Sequence, residues 1–435
     1  MDIEVSNDDK SSAQSIRKNI ARLRAEVQKT ELFFDYEEEF LIPLTKVIRE
    51  GPNSGQNGNE IKLGSAKLSD PRRAKLLSLG FENKFVRPIL VLDLDETLIN
   101  AYTGPRTNEI SKELKENAKY KDYELLTKNF AVKGPNLINV TVIIRPNLLD
   151  FLKNMVKYYD IHLYTHGRQE YVEEVLTVID PEATYINRKR IFYHSRVNIV
   201  DEQTKKSLAR LGLSPAEIKN AIIFDDLKQI WKEYDKVIPS KKFIPLFKFM
   251  DEKKYKTFTI EPESDAFSSN ELRLEKEDLS SYSETDYVKK NQLYYLQSFL
   301  EELAFRFFRE QLSISDPSDK QFPPLEMLAA EQTKMILRNS RIKVLTTDPK
   351  RKVLFHYIAV KLGAVIADGI EFEKITEVVV DSQAHTDVSI HRHLDEILIY
   401  AQQKNYTQLK IVKVDWLLQC YFDYHRKDPG LFRYD

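Results

Sequence analysis

Two aspartates one residue apart, Asp93 and Asp95, stand in the run Leu90-Val91-Leu92-Asp93-Leu94-Asp95-Glu96-Thr97-Leu98-Ile99. Carboxylates on alternate residues of an extended segment can face one point, and holding them there is costly unless a cation or a shared proton relieves the repulsion. An Asp-x-Asp in a solvated turn needs no such relief. This pair is instead flanked by apolar residues, without the Gly, Pro, Asn or Ser that marks an ordinary turn. Other polar residues end apolar runs in the same way. Arg145 follows Val142-Ile143-Ile144, Thr165 follows Ile161-His162-Leu163-Tyr164, and Asp225-Asp226 follows Ala221-Ile222-Ile223-Phe224.

The elements that must position these residues can be read from the pattern. Residues 88–92 are short, continuous and apolar, which predicts a buried central strand. Strands are also expected at 137–144, within 158–165, at 190–194 and at 221–224, with short edge strands at 237–239 and 243–245. Helices are expected at 148–159 and at 170–179, the latter stopped by Asp180-Pro181. Strands alternating with helices over residues 85–250 predict a doubly wound parallel sheet. Ligands of such sheets bind at the carboxyl edge. Asp93, Thr165 and Asp225 each follow an apolar strand, so all three are expected to converge there.

Composition narrows the classes. The 66 basic and 67 acidic residues nearly cancel, so no global field points to direct nucleic-acid binding or to a membrane surface. No apolar run reaches the length of a membrane span, and the polar, acidic start resembles no targeting segment. The one cysteine, Cys420, excludes an internal disulfide and a zinc cluster and fits a reducing, intracellular compartment. Residues 1–80 read as a partly disordered extension with helical stretches near 12–30 and 66–80 around a Gly/Asn-rich loop at 51–60. Residues 103–133 read as a polar, largely helical insertion in the 81–250 domain. Residues 251–335 read as a charged, Ser-rich linker followed by an amphipathic helix at 293–309. Residues 336–435 show a second, smaller strand–helix alternation.

Asp93-Leu94-Asp95-Glu96-Thr97 resembles the signature of the haloacid-dehalogenase superfamily, and more narrowly of the branch that dephosphorylates the C-terminal domain of RNA polymerase II. Arg145-Pro146, Tyr164-Thr165, Ile179-Asp180-Pro181, Lys206-Ser207-Leu208 and Phe224-Asp225-Asp226 with Trp231 follow in the family's order. The double aspartate is similar to the large, TFIIF-associating branch. So are the helix beginning Asn291-Gln292-Leu293 and a C-terminal region resembling a BRCT domain, with Leu362-Gly363-Ala364 and with Trp416 four residues before Cys420.

The resemblance implies an α/β chain: a doubly wound parallel-sheet, haloacid-dehalogenase-like phosphatase domain with helical insertions, plus a smaller α/β BRCT-like domain. It implies a magnesium-dependent protein serine/threonine phosphatase working through an aspartyl-phosphate, because a phosphate ester needs a nucleophile, an acid for the leaving oxygen and positive charge around phosphorus. Asp93 is then the nucleophile, and Asp95 the acid and later the base. Lys206, which the family pattern selects over Lys205, neutralises the phosphoryl oxygens. Thr165 bonds a phosphate oxygen, unless it only caps the following helix. Arg145 clamps phosphate or anchors its loop. Mg2+ falls to Asp93, Asp95, Asp225 and Asp226, with Asp226 the first choice as ligand and Asp225 free to position Lys206 or a water. Implied partners are the phosphorylated polymerase repeats and TFIIF, and the implied compartment is the nucleus. Asp348-Pro349 stands where phosphopeptide-binding BRCT domains have glycine, and an aspartate there repels phosphate. The alternatives are a phosphatase of another phosphoprotein, or a non-catalytic scaffold with the same fold.

Overall fold

The computed structural model describes residues 86–104, 106–117, 123, 125–132, 137–193, 205–246, 259–260, 272–273, 291–313, 323–367, 374–381 and 387–434. The extension expected at 1–80 and nearly all of the linker at 251–290 lie outside these residues. The chain divides into two compact units, Met1–Val86 with Phe308–Gln321 and Arg87–Phe307 with Phe322–Asp435. Among the described residues, the second unit holds every element except the end of one long helix.

Its first half is built on a parallel sheet. The strands are β1 (Ile89–Leu92), β5 (Asp160–Thr165), β6 (Ile191–Tyr193), β7 (Ala221–Asp225) and β8 (Val237–Pro239), in the order β6-β5-β1-β7-β8. The chain leaves β1 toward β5 and β6 and returns on its other side as β7 and β8, so the topological switch lies beside β1. Every residue of β1 is buried, as a central parallel strand requires. In register, Leu92 pairs with Leu163 on one side and Phe224 on the other. The next residues on these strands are therefore Asp93, Tyr164-Thr165 and Asp225, and the expected convergence at one edge is present. Helices α2 (Leu148–Met155), α3 (Gln169–Ile179) and α4 (Pro215–Lys219) connect the strands. Ser214 and Glu217 cap the start of α4 reciprocally.

The segment between β1 and α2 differs from the expectation. Residues 137–144 do form a strand, β4 (Ile138–Ile144), but it belongs to a separate antiparallel sheet with β2 (Ile99–Thr103) and β3 (Thr127–Val132), in the order β2-β4-β3. Helix α1 (Arg106–Glu116) packs on it through Ile110 and Leu114, which join Tyr102, Tyr123, Ile143 and Phe243 in a separate small core. Residues 243–245, expected as an edge strand, form none. Pro239 and Pro245 remove ladder donors on either side, and the chain turns so that the Phe243 N–H donates to Glu96 O at 2.6 Å.

A two-strand pair, β9 (Thr259–Ile260) with β10 (Leu272–Arg273), precedes the long helix α5 (Gln292–Ser313) and then α6 (Leu325–Thr333). The C-terminal domain is the smaller α/β fold expected. Strands β11 (Arg341–Leu345), β12 (Val365–Ile366), β13 (Glu377–Val380) and β14 (Lys410–Lys413) form a parallel sheet in the order β12-β11-β13-β14, with helices α7 (Pro349–Lys361), α8 (Val388–Gln403) and α9 (Val414–Asp423). Trp416 and Cys420 lie in its core beside Phe355, Ile358 and Leu417. Burial pushes the Cys420 thiol up to about 12, which leaves it inert as a nucleophile. Gly363, at φ +92°, lies where an added Cβ would meet Lys334 O at 1.8 Å, so only glycine fits.

Candidate active site

At the carboxyl edge of the parallel sheet, the Asp93 N–H donates to Phe224 O (3.0 Å), which extends the β1–β7 pairing to the first aspartate. Asp225 ends β7, and Asp226 follows it. Asp93, Asp225 and Asp226 are all buried, and one oxygen of each lies within 4.8 Å of the others. Lys206 reaches this group from the segment before α4. Its backbone is pinned by Lys206 N–H to Ile230 O (2.6 Å) and Lys232 N–H to Lys206 O (2.9 Å). Its ammonium donates to Asp93 Oδ1 at 2.5 Å and to Asp225 Oδ2 at 2.7 Å, in a cage formed by the rings of Tyr164 and Trp231. The Trp231 indole N–H also donates to Asp225 Oδ2 (2.9 Å), and the Leu227 N–H donates to Asp225 Oδ1 (2.7 Å).

The electrostatics follow from this crowding. Burial would lower the affinity of Lys206 for its proton, but Asp225 and Asp93 outweigh it and hold the ammonium firmly charged. Burial and the neighbouring Asp225 raise Asp93 well above the usual carboxylate range. The same two causes push Asp226 up to about 7. Thr97 and Asp226 exchange hydrogen bonds, the hydroxyl donating to Asp226 Oδ1 and accepting from the Asp226 N–H, both at 3.1 Å. Asp226 Oδ2 is buried without a hydrogen bond, and the Lys242 ammonium stands 3.6 Å from it, beyond hydrogen-bond range. Lys242 pairs more closely with Glu96, at 2.9 Å. Glu96 has φ 61°, an unfavourable conformation for a side chain other than glycine, asparagine or aspartate.

These residues fit a divalent cation. Buried carboxylates outnumber the ammonium groups facing them, and one carboxylate oxygen carries no hydrogen bond. A hard, oxygen-seeking ion such as Mg2+ matches that donor set. Asp95 is not part of the cluster. Its Oδ1 accepts from the Tyr171 hydroxyl at 2.6 Å, so the carboxylate expected among the metal ligands is held instead against α3. Thr165 ends β5, fully buried, and its hydroxyl accepts from the Gly167 N–H at 2.9 Å. Arg145 is also fully buried. It donates to Thr97 O (2.7 Å), Ser240 Oγ (2.9 Å), Lys241 O (3.1 Å) and Gln292 Oε1 (3.1 Å). Of the two roles left open for Arg145, these contacts are those of an anchor.

Residues 88–263 match the model of the NLI interacting factor-like phosphatases. They form an NLI interacting factor-like phosphatase domain. A protein of Encephalitozoon cuniculi named as a C-terminal domain phosphatase of RNA polymerase II is 27% identical over 176 residues, which is 40% of this chain and 36% of that protein. The human protein of the same name is 28% identical over 159 residues, 36% of this chain and 14% of its own length. The chain thus spans well under two thirds of either relative. The solved structure of Fcp1, an essential RNA polymerase II CTD phosphatase, superposes with a TM-score of 0.54 at 17% identity, covering 83% of this chain and 98% of its own. At that identity the likeness is one of fold.

The parallel-sheet domain and the start of α5 also hold residues whose contacts sequence reasoning missed. Tyr171 looks like one more residue of an amphipathic helix, and only its hydroxyl sets it apart. Lys242 lies in a basic cluster at a strand end and gives no sign that it faces Glu96 and Asp226. Ser240 and Gln292 carry no charge to draw notice, yet both are buried and bonded to Arg145. The C-terminal position expected to repel phosphate is occupied as a helix cap. Asp348 accepts from the Lys350 N–H (2.8 Å) at the start of α7. Beside it Arg351 grips Asp381 with two bonds of 2.7 Å, and the Thr346 hydroxyl donates to the same carboxylate.

Proposed function

We propose that this chain is a magnesium-dependent protein serine/threonine phosphatase acting on the phosphorylated C-terminal domain of RNA polymerase II. The observation that carries the chemistry is the buried group of Asp93, Asp225 and Asp226 with Lys206 bonded between two of them, at the switch point of a parallel sheet. Asp93 has one oxygen on Lys206 and attacks phosphorus. The phosphorus–oxygen bond to the serine breaks as Asp95 gives its proton to the leaving oxygen. Asp95 then takes a proton from water, whose oxygen attacks phosphorus and releases Asp93 and inorganic phosphate. Lys206 balances charge on the phosphoryl oxygens throughout. Thr165 offers its hydroxyl to one of those oxygens. Asp93, Asp225 and Asp226 would hold the metal. When bound, Mg2+ offsets the repulsion between carboxylate and phosphate and polarises the phosphoryl group.

The substrate class rests on the named relatives; a polymerase II substrate supports the nucleus as the compartment, and TFIIF, which the sequence resemblance implies, is the second partner to test. The deciding measurement is phosphate release from a phosphorylated polymerase-tail peptide, with magnesium and with chelator, beside an unrelated phosphopeptide of equal charge. Magnesium-dependent release favouring the tail peptide is expected. Equal release from both keeps the chemistry and removes the substrate, while release from neither removes the phosphatase.

A further inference from the structure

A path of hydrogen bonds and short covalent links runs from the C-terminal domain to the group of aspartates, and it passes through one neutral side chain. Gln292 is the first residue of α5 and is almost fully buried. Its Nε2 donates to Phe422 O in α9 of the C-terminal domain (2.5 Å) and to Pro239 O at the end of β8 (3.1 Å). Its Oε1 accepts from the Lys241 N–H (2.8 Å) and from Arg145 Nη2 (3.1 Å). Two routes lead onward. Arg145 Nη1 donates to Thr97 O, and Thr97 exchanges its two bonds with Asp226. Ser240 follows Pro239, and its N–H donates to Asp225 O at 2.8 Å. The Asp226 carboxylate, through Thr97, and the Asp225 main chain are thereby tied to the same amide.

The C-terminal domain is seated on α5 by more than that amide. The His425 and Tyr295 rings stack at 5.1 Å, Tyr424 packs on Phe299 at 4.7 Å, and the Lys427 ammonium lies 3.2 Å from the centre of the Tyr295 ring. Interlocked buried polar groups of this kind have few alternative arrangements. Displacing the domain therefore removes Phe422 O from the Gln292 amide, the same amide that Arg145, Lys241 and Pro239 share.

We propose that Gln292 is a positioning residue through which the C-terminal domain, which among the described residues adds none to the group of aspartates, holds Asp225 and Asp226 in metal-binding geometry. The proposal rests on the metal-dependent reading above. Its test uses the full chain and reads Mg2+ binding by calorimetry, apart from turnover, in Gln292→Leu, Gln292→Glu and His425→Ala. Gln292→Glu keeps an acceptor for Arg145 and Lys241 but cannot donate to Phe422 or Pro239. His425→Ala loosens the domain's seat by removing the stack on Tyr295 and leaves the Gln292 side chain itself in place.

Gln292→Leu and Gln292→Glu are expected to weaken Mg2+ binding about tenfold, within the usual range of coupling between sites, while unfolding cooperatively. The kcat for a small aryl phosphate should fall in parallel at saturating metal. His425→Ala should shift metal affinity in the same direction by less. Should Gln292→Leu fail to fold, the other two variants decide. Folded variants that bind Mg2+ as tightly as the wild type overturn the proposal, as does a wild type that binds none. A wild type that binds Mg2+ but releases no phosphate removes the phosphatase reading, and weakened binding in the variants then still supports the coupling.

Discussion

Lys206 is 2% exposed and faces two carboxylates at hydrogen-bond distance. Such a charge is tolerable in the interior only while its partners remain. Lys206→Met strands Asp93 and Asp225, so it should lower stability by about 3–5 kcal/mol in chemical denaturation and reduce kcat by about a hundredfold or more. Asp93→Asn removes the attacking oxygen but keeps the side chain's shape. It should leave a cooperatively folded protein, because Asp225 still pairs with Lys206, and reduce aryl-phosphate turnover by about a thousandfold or more. Turnover within tenfold of the wild type would exclude Asp93 as the nucleophile. Asp93, Thr165 and Asp225 could be placed from sequence because each follows an apolar strand, and strand ends of one parallel sheet meet. The grip of Tyr171 on Asp95 could not be placed that way, because which way a side chain leaves a loop depends on tertiary contacts that no spacing encodes.

The central strands were legible because a parallel strand covered on both faces is largely apolar, as β1 is throughout, β7 is up to Asp225, and β5 is around its His162. The antiparallel insert was not. β3 reads Thr-Lys-Asn-Phe-Ala-Val and is only half buried, so its pattern resembles a polar loop. β2 follows the aspartate motif directly, without a turn signal, because the chain reverses through Glu96 in a left-handed conformation rather than through glycine. At the start of β5, Asp160 shows how the sheet edge is charged. A hydrogen bond with His162, then the proximity of His162, Arg190 and Arg87, hold its carboxyl below the usual range against the opposing effect of burial. A carboxyl depressed in the folded state stabilises the fold above its unfolded pKa, about 4, and that contribution is lost as pH falls through the folded value. Asp160→Asn should therefore unfold at lower urea than the wild type at pH 7, and the gap should close as pH drops below about 4. A gap unchanged down to pH 3 would show that the Asp160 charge contributes nothing.

At the scale of the molecule, the C-terminal domain has two possible tasks, and the contacts favour one. Its α7 N-terminus is capped by Asp348, and Arg351 and Thr346 are both engaged by Asp381. The amides and side chains that would face a phosphate at that end of the domain thus already hold carboxylates. Its α9, by contrast, reaches Gln292 and, through Arg145 and Thr97, Asp226. A domain that only docks substrate affects long phosphopeptides and leaves a small aryl phosphate alone. A domain that braces the site affects both. Ending the chain before residue 341 should therefore reduce kcat/KM for an aryl phosphate and for a phosphorylated polymerase-tail peptide by similar factors, and should weaken Mg2+ binding in a preparation that retains β-sheet circular dichroism. A loss confined to the tail peptide, with Mg2+ affinity intact, would assign the domain to substrate docking and leave the hydrogen-bonded path through Gln292 without a catalytic consequence.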